Sequence, residues 1–170
     1  MSLEREVHSF VQYLLTLADD RAALAALRRG LGRPPGTAPE MFPYVVPQLP
    51  AHVHPNEEAA YYTLAALFAL HPSHTNQGNL GDHLARAANQ GNREAVERRF
   101  VALLSAHPDD LPEYLRQTVS FLKAQEVPIN WDALFYALRY WEHPEHGDRI
   151  RRDWARAFWA EQSAAETSEA

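Results

Sequence analysis

Asn130 to Trp141 reads NWDALFYALRYW, and Asp148 to Trp159 reads DRIRRDWARAFW. In the first stretch Trp131, Leu134, Phe135, Leu138 and Trp141 recur at steps of three and four residues, which puts them on one face of an α-helix. Asn130 is a good cap for its start. In the second stretch Asp148 reads as the cap, and Ile150, Trp154 and Phe158 share a side. The same period continues upstream. Asn92 opens a helix to about Ala106 with Val96, Phe100, Leu103 and Leu104 inward. Asp109 opens another, with Pro112 and Glu113 in its first turn and Leu111, Leu115, Val119 and Leu122 inward. Short linkers between these helices favour antiparallel neighbours, so the fold expected for this half is a four-helix bundle.

The first half is helical too. Its first helix is expected from about Leu3 to Leu17 and its second from about Asp20 to Arg29, stopping at Gly30. The proline-rich stretch 30–56 reads as a long, mostly irregular connection, with one β-like run at Tyr44-Val45-Val46. Helices follow at about Glu57–Leu70 and Leu80–Ala88, separated by the polar loop His71–Gly78. The fold class is therefore all-α, as two small helical subdomains: residues 1–90, and a four-helix bundle over 91–162. An acidic tail, 163–170, is expected to be loosely held.

Composition narrows the function. The 170 residues are 46% hydrophobic, enough for a sizeable core. No run of about 18 apolar residues is present to span a membrane, and the N-terminus does not read as a signal peptide. With no cysteine, disulfides, thiolate metal sites and a cysteine nucleophile are excluded, which fits a cytoplasmic setting. GxSxG, P-loop and GxGxxG patterns are absent, so no enzyme activity, cofactor or small-molecule substrate is expected. The histidine pairs His52/His54, His71/His74 and His143/His146 suggest metal ligands. No HExxH helix is present, however, and the prolines after His71, His107 and His143 mark helix ends instead.

Net charge is −6 at pH 7, which disfavours general nucleic-acid binding. The cations are unevenly spread. Residues 86–156 carry ten Arg and one Lys against eleven acids, while residues 1–85 carry five Arg against eight acids. Any contact with phosphate must therefore come from a local basic stripe. On the last helix Arg149, Arg152 and Arg156 fall within about 60° of one another, opposite the apolar side, with Trp159 at the edge. Arg116 and Lys123 share an outer face of their helix, Arg98 and Arg99 are adjacent, and Arg28 and Arg29 end the second helix. Each also has a plain structural role open to it, as a solvated face, an ion pair with Glu94, Asp148 or Asp153, or a complement to a helix dipole.

Several strings, in order, resemble one family: FVQYLL (10–15), RAALAALRRGLG (21–32), AYYTLAALFALHP (60–72), RRFVALL (98–104), LRQTVSFLKAQEVPINWDALFYALRYW (115–141) and RIRRDWARAFW (149–159). Together they are similar to the CasB family, the small subunit of Cascade, the type I-E CRISPR surveillance complex. The resemblance spans nearly the whole chain and rests on LRRG, INWDAL and WARAFW. It implies an all-helical protein without catalysis of its own. Its implied partners are the other Cascade subunits, a second copy of itself, the guide RNA–target DNA hybrid and the displaced DNA strand.

The family's LRRG positions correspond to Arg28 and Arg29. Its later basic positions correspond to residues among Arg98, Arg99, Arg116, Arg139, Arg149, Arg151 and Arg152; Lys123 and Arg156 join them as candidates from the helix faces. The alternative is a helical protein–protein adaptor whose arginines meet acidic neighbours. Opening a duplex against a guide is nearly balanced in energy, so modest backbone contacts tip it. Such contacts need arginine faces rather than a base code, and they are salt-sensitive.

Overall fold

Residues 60–69, ten in succession, are all buried. They lie in α4 (Pro55–Leu70), which is apolar on every side and so must be wrapped by other helices. In this computed structural model, which describes the backbone of residues 6–168 and the side chains of 6–160, three helices do most of that wrapping. They are α2 (Arg21–Arg28), α7 (Leu111–Ala124) and α8 (Trp131–Tyr140). A short α1 (Ser9–Thr16) seats Phe10, Val11 and Leu14 beside α8. Phe10 meets Tyr61 and Phe135 at ring distances of 4.6 and 5.4 Å. The described residues form no strand, and the fold is all-α.

The second layer is built on α5 (Leu80–Ala88) and α9 (His146–Ser168), the most extensively packed pair. Their closeness depends on Gly81. A Cβ there would lie 2.0 Å from the Trp154 carbonyl oxygen, so only glycine lets the α9 backbone approach this far. Ile150, Trp154 and Phe158 are buried along α9, as their spacing predicts. Trp131, Trp141 and Trp154 are all core residues. Between these layers, α6 (Arg93–Leu104) contacts α5 and α7. The packing crosses the boundary expected near residue 90: α4 lies on α8, α5 on α9, and the buried side chains form one cluster.

Local expectations met the structure unevenly. Asp20, Asn92 and Asn130 cap their helices by accepting the N–H three residues on. Asp109 does not cap α7; the N-cap position is Asp110, without a side-chain bond. Asp148 does not cap α9, which starts at His146 and runs past the expected end near Glu161. Asp148 lies inside the first turn, 3.7 Å from Arg151. The expected start of the first helix at Leu3 lies outside the described residues. Residues 44–46 are not extended. They sit in short helical turns, α3 (Phe42–Val45) and Val46–Gln48, because Pro43 and Pro47 occupy first-turn positions where a missing N–H costs nothing.

The histidines do the work of caps and ties. Nδ1 of His8, His54, His107 and His143 accepts the N–H two residues on. Three others, His71 and His74 after α4 and His83 of α5, meet the segment before α8. The His71 ring nitrogen Nε2 lies 2.8 Å from the Val127 carbonyl, and His83 Nε2 accepts the Asn130 N–H at 2.9 Å. His74 bridges to Ile129, and the Trp131 indole N–H donates to the Ser73 carbonyl at 3.0 Å.

Burial pushes His83 down to a pKa of about 4. Arg86 and His74 act in the same direction, and Asp82 opposes them. The folded state thus holds His83 neutral, while the unfolded chain binds its proton near the ordinary value of 6.5. Stability from this group is complete above pH 6.5 and lost as pH falls through 4. The full loss is roughly 3 kcal/mol. Denaturant unfolding across that range should show it, and His83→Gln should flatten the dependence. An unchanged pH profile in the variant would contradict this role.

Candidate nucleic-acid interface

The two exposed arginines that end α2, Arg28 and Arg29, lead straight into the loop Leu31-Gly32-Arg33-Pro34-Pro35-Gly36. The first left-handed residue after α2 is Gly32, at φ 78°, two positions beyond the expected stop at Gly30, and Gly36 follows at 81°. A Cβ on Gly32 would lie 2.8 Å from Nη1 of Arg116, which reaches over from α7. The fold therefore brings an early basic element and a later one together across a large sequence separation. Arg33 joins them, half-exposed, with Glu40 at 3.9 Å. Arg116 is also about half-exposed, with Glu113 at the outer limit of an ion pair, 4.0 Å.

Arg33 was missed by the sequence reading, and the only signal for it was its closeness to Arg28 and Arg29. The loop, α4, α7 and the end of α8 enclose a cleft of about 580 Å³, with Arg33 and Arg116 in its walls.

The other candidates divide by what they touch. Arg98 and Arg99 of α6 are exposed, with the Arg99 guanidinium carbon 4.8 Å from the Phe121 ring centre. Lys123 is exposed in the last turn of α7. Arg149 and Arg152 of α9 are exposed. Arg28, Arg29, Arg98, Lys123, Arg149 and Arg152 make no ion pair among the described residues. Arg156 is exposed and lies 3.6 Å from Asp153, a surface pair of small worth.

Two candidates are tied into the fold. The Arg139 side chain is only 12% exposed. It lies over Phe135 at 4.5 Å and Tyr140 at 5.5 Å, and reaches Glu57 of α4 at 3.8 Å. It joins α8 to α4 through these aromatic and acidic neighbours and leaves little of its side chain open to solvent. Arg151 stacks over Trp141 at 4.3 Å and pairs with Asp148, leaving its side chain 29% exposed. Trp159 also serves packing: it stacks on Phe100 at 5.4 Å, and its indole N–H donates to Glu97 at 3.3 Å.

Among the described residues no group of three His, Asp or Glu is placed to hold a metal ion. No described helix is long and apolar enough to cross a membrane.

Three comparisons with known proteins bear on this arrangement. The family model for the CRISPR-associated protein Cse2 matches residues 23–159. The chain is 37% identical over 157 residues to a CRISPR-associated protein Cse2 of Thermus thermophilus, covering 88% of each. The crystal structure of CasB from Thermus thermophilus superposes with a TM-score of 0.79 at 34% identity, over 94% of this chain and 99% of that one. A chain of a CRISPR RNA-guided surveillance complex in a pre-nicking state superposes at 0.80 with 27% identity, over 95% and 96%.

The division of the arginines makes a testable contrast. Arg139→Ala should lower unfolding free energy by about 1–2 kcal/mol, through loss of its ring contacts and its pair. Arg149→Ala should stay within about 0.5 kcal/mol of the parent. Chemical denaturation of the two variants checks this, and equal stabilities would show that Arg139 is not a structural tie.

Proposed function

The chain belongs to the CRISPR-associated Cse2 family, also called CasB, and from this we propose that it is the non-catalytic small subunit of a type I-E Cascade complex. In that role it sits in the cytoplasm among the other Cascade subunits, beside a second copy of itself. It steadies the guide RNA–target DNA hybrid and the displaced DNA strand through exposed arginines. The observation that carries the nucleic-acid part is Arg116 reaching the loop of Gly32 and Arg33 that directly follows Arg28 and Arg29 in the chain, in a protein of net charge −6. Such a local group attracts a phosphate backbone already brought near by the assembly, while the whole molecule does not draw in free DNA. Guanidinium groups suit this task because their fork donates two bonds to one phosphate and reads no sequence.

Arg149 and Arg152, exposed on α9 and without an ion pair among the described residues, are the second element. Arg98, Arg99, Lys123 and Arg156 lie on exposed faces and can add contacts; Arg139 and Arg151 hold the fold. Contacts of this kind help because strand exchange against a guide is close to balanced, so a small preference for the open state shifts it.

The test is target-DNA binding by assembled complex carrying Arg28→Ala/Arg29→Ala or Arg149→Ala/Arg152→Ala, measured over a salt series. Each lost phosphate contact to a single strand should reduce the slope of log affinity against log salt by about 0.7. If the variants incorporate normally and both affinity and slope stay at the parent values, the chain acts as a protein–protein adaptor instead.

A further inference from the structure

The short helical turns after the arginine loop leave apolar side chains in water. Phe42 is 38% exposed, and Val46, one turn further on, is 50% exposed. Among the described residues Phe42 is the most exposed Phe, Tyr or Trp; the others are buried or packed partly buried against the core. Burying a ring is a large gain, and the fold forgoes it only here. Three contacts fix this ring beside the loop. Gly30, next after Arg29, lies so close to Met41 that a Cβ would collide with its sulfur. Arg33 meets Glu40 at 3.9 Å, with both side chains about half-exposed. Buried Tyr62 braces Phe42 from within, near-perpendicular at 6.1 Å, and a Cβ on Gly36 would touch the same tyrosine ring at 3.5 Å. Residues 40–42 are thus tied to the segment 30–36 at its start, middle and end.

We propose that the exposed Phe42 ring stacks on one unpaired base of the single strand whose phosphates Arg28, Arg29 and Arg33 hold. This rests on the nucleic-acid reading above and adds to it a platform for the base. Single strands are bound without a sequence code by an aromatic ring that meets a base and cations that track the backbone. Both lie here within one short stretch, residues 28–42. Arg28 and Arg29 are exposed and make no ion pair among the described residues, and the one acid between the loop and the ring, Glu40, is engaged by Arg33. Protein interfaces, by contrast, draw on about 800 Å² from each partner around an apolar centre. Phe42 and Val46 make a small group for that purpose, whereas a base covers a single ring. A ring braced by Tyr62 loses little freedom when a base settles on it.

The test uses assembled complex and a pre-opened target, in which the displaced segment is mismatched so that strand separation contributes equally throughout. That segment carries either adenines or abasic residues. The parent complex should bind the adenine form more tightly. Phe42→Leu keeps an apolar side chain and loses the flat ring. It should shrink the preference for adenine about tenfold, within the range for losing one stacked base, while leaving the salt slope at the parent value. Phe42→Tyr, which keeps the ring, should keep the preference.

Arg28→Ala/Arg29→Ala should do the reverse, lowering the slope and preserving the preference for adenine. An unchanged slope in that variant, with the preference intact, would overturn the phosphate reading alone. Equal binding of both targets by the parent, or a full preference in Phe42→Leu, would overturn the stacking site. Val46→Ser removes the neighbouring apolar side chain and leaves the ring, so it should incorporate normally and keep the preference. Poor incorporation of Val46→Ser would overturn the proposal by assigning this apolar surface to a neighbouring protein subunit.

Discussion

The burial of α4 on every side is the constraint on which the rest depends. Ten successive buried residues leave this helix no solvent face, so α2, α7 and α8 must close around it. Hydrophobic burial drives that closure at about 25 cal/mol per Å² of apolar surface, which no surface ion pair approaches in total. The functional geometry follows from it. With α2 and α7 held against the same helix, the loop leaving α2 meets the middle of α7, and Arg116 arrives at Gly32. The basic group is thus a consequence of core packing, assembled from positions that have no relation in sequence.

Arginine serves two purposes in this protein, and the surroundings decide which. Arg139 and Arg151 lie over Phe135 and Trp141, where the guanidinium plane covers aromatic surface that water would otherwise wet. Arg28, Arg29, Arg149 and Arg152 are exposed, with no carboxylate in ion-pair range among the described residues. A net-acidic molecule keeps its cations free only where nothing of its own is near them. Those places are the ones able to meet a phosphate from outside.

Much of the scaffold was legible in the sequence. Periodicity gave the faces of α8 and α9, and Asn92 and Asn130 announced their helices because an asparagine side chain satisfies an otherwise bare N–H. The role of Arg139 was legible in principle, since Phe135 lies four residues before it, one turn away on the same side. Arg151 falls about 60° from Trp154 at helical spacing, closer to the apolar side than the other arginines of that helix. The run Tyr44–Val46 misled because β-branched residues favour strands only where a partner strand exists, and here two prolines set helical turns. The cleft was not legible at all. It needs the contact between residues 32 and 116, which is a property of the fold and leaves no local mark.

The most direct measurement places a photoreactive thymine analogue at successive positions of the displaced strand and maps its crosslinks in the assembled, target-bound complex. The account predicts crosslinks in this subunit that fall on residues 28–36 and on α7 near Arg116, recurring at a limited set of strand positions. Crosslinks confined to other subunits, or to the part of this chain remote from that loop, would contradict it.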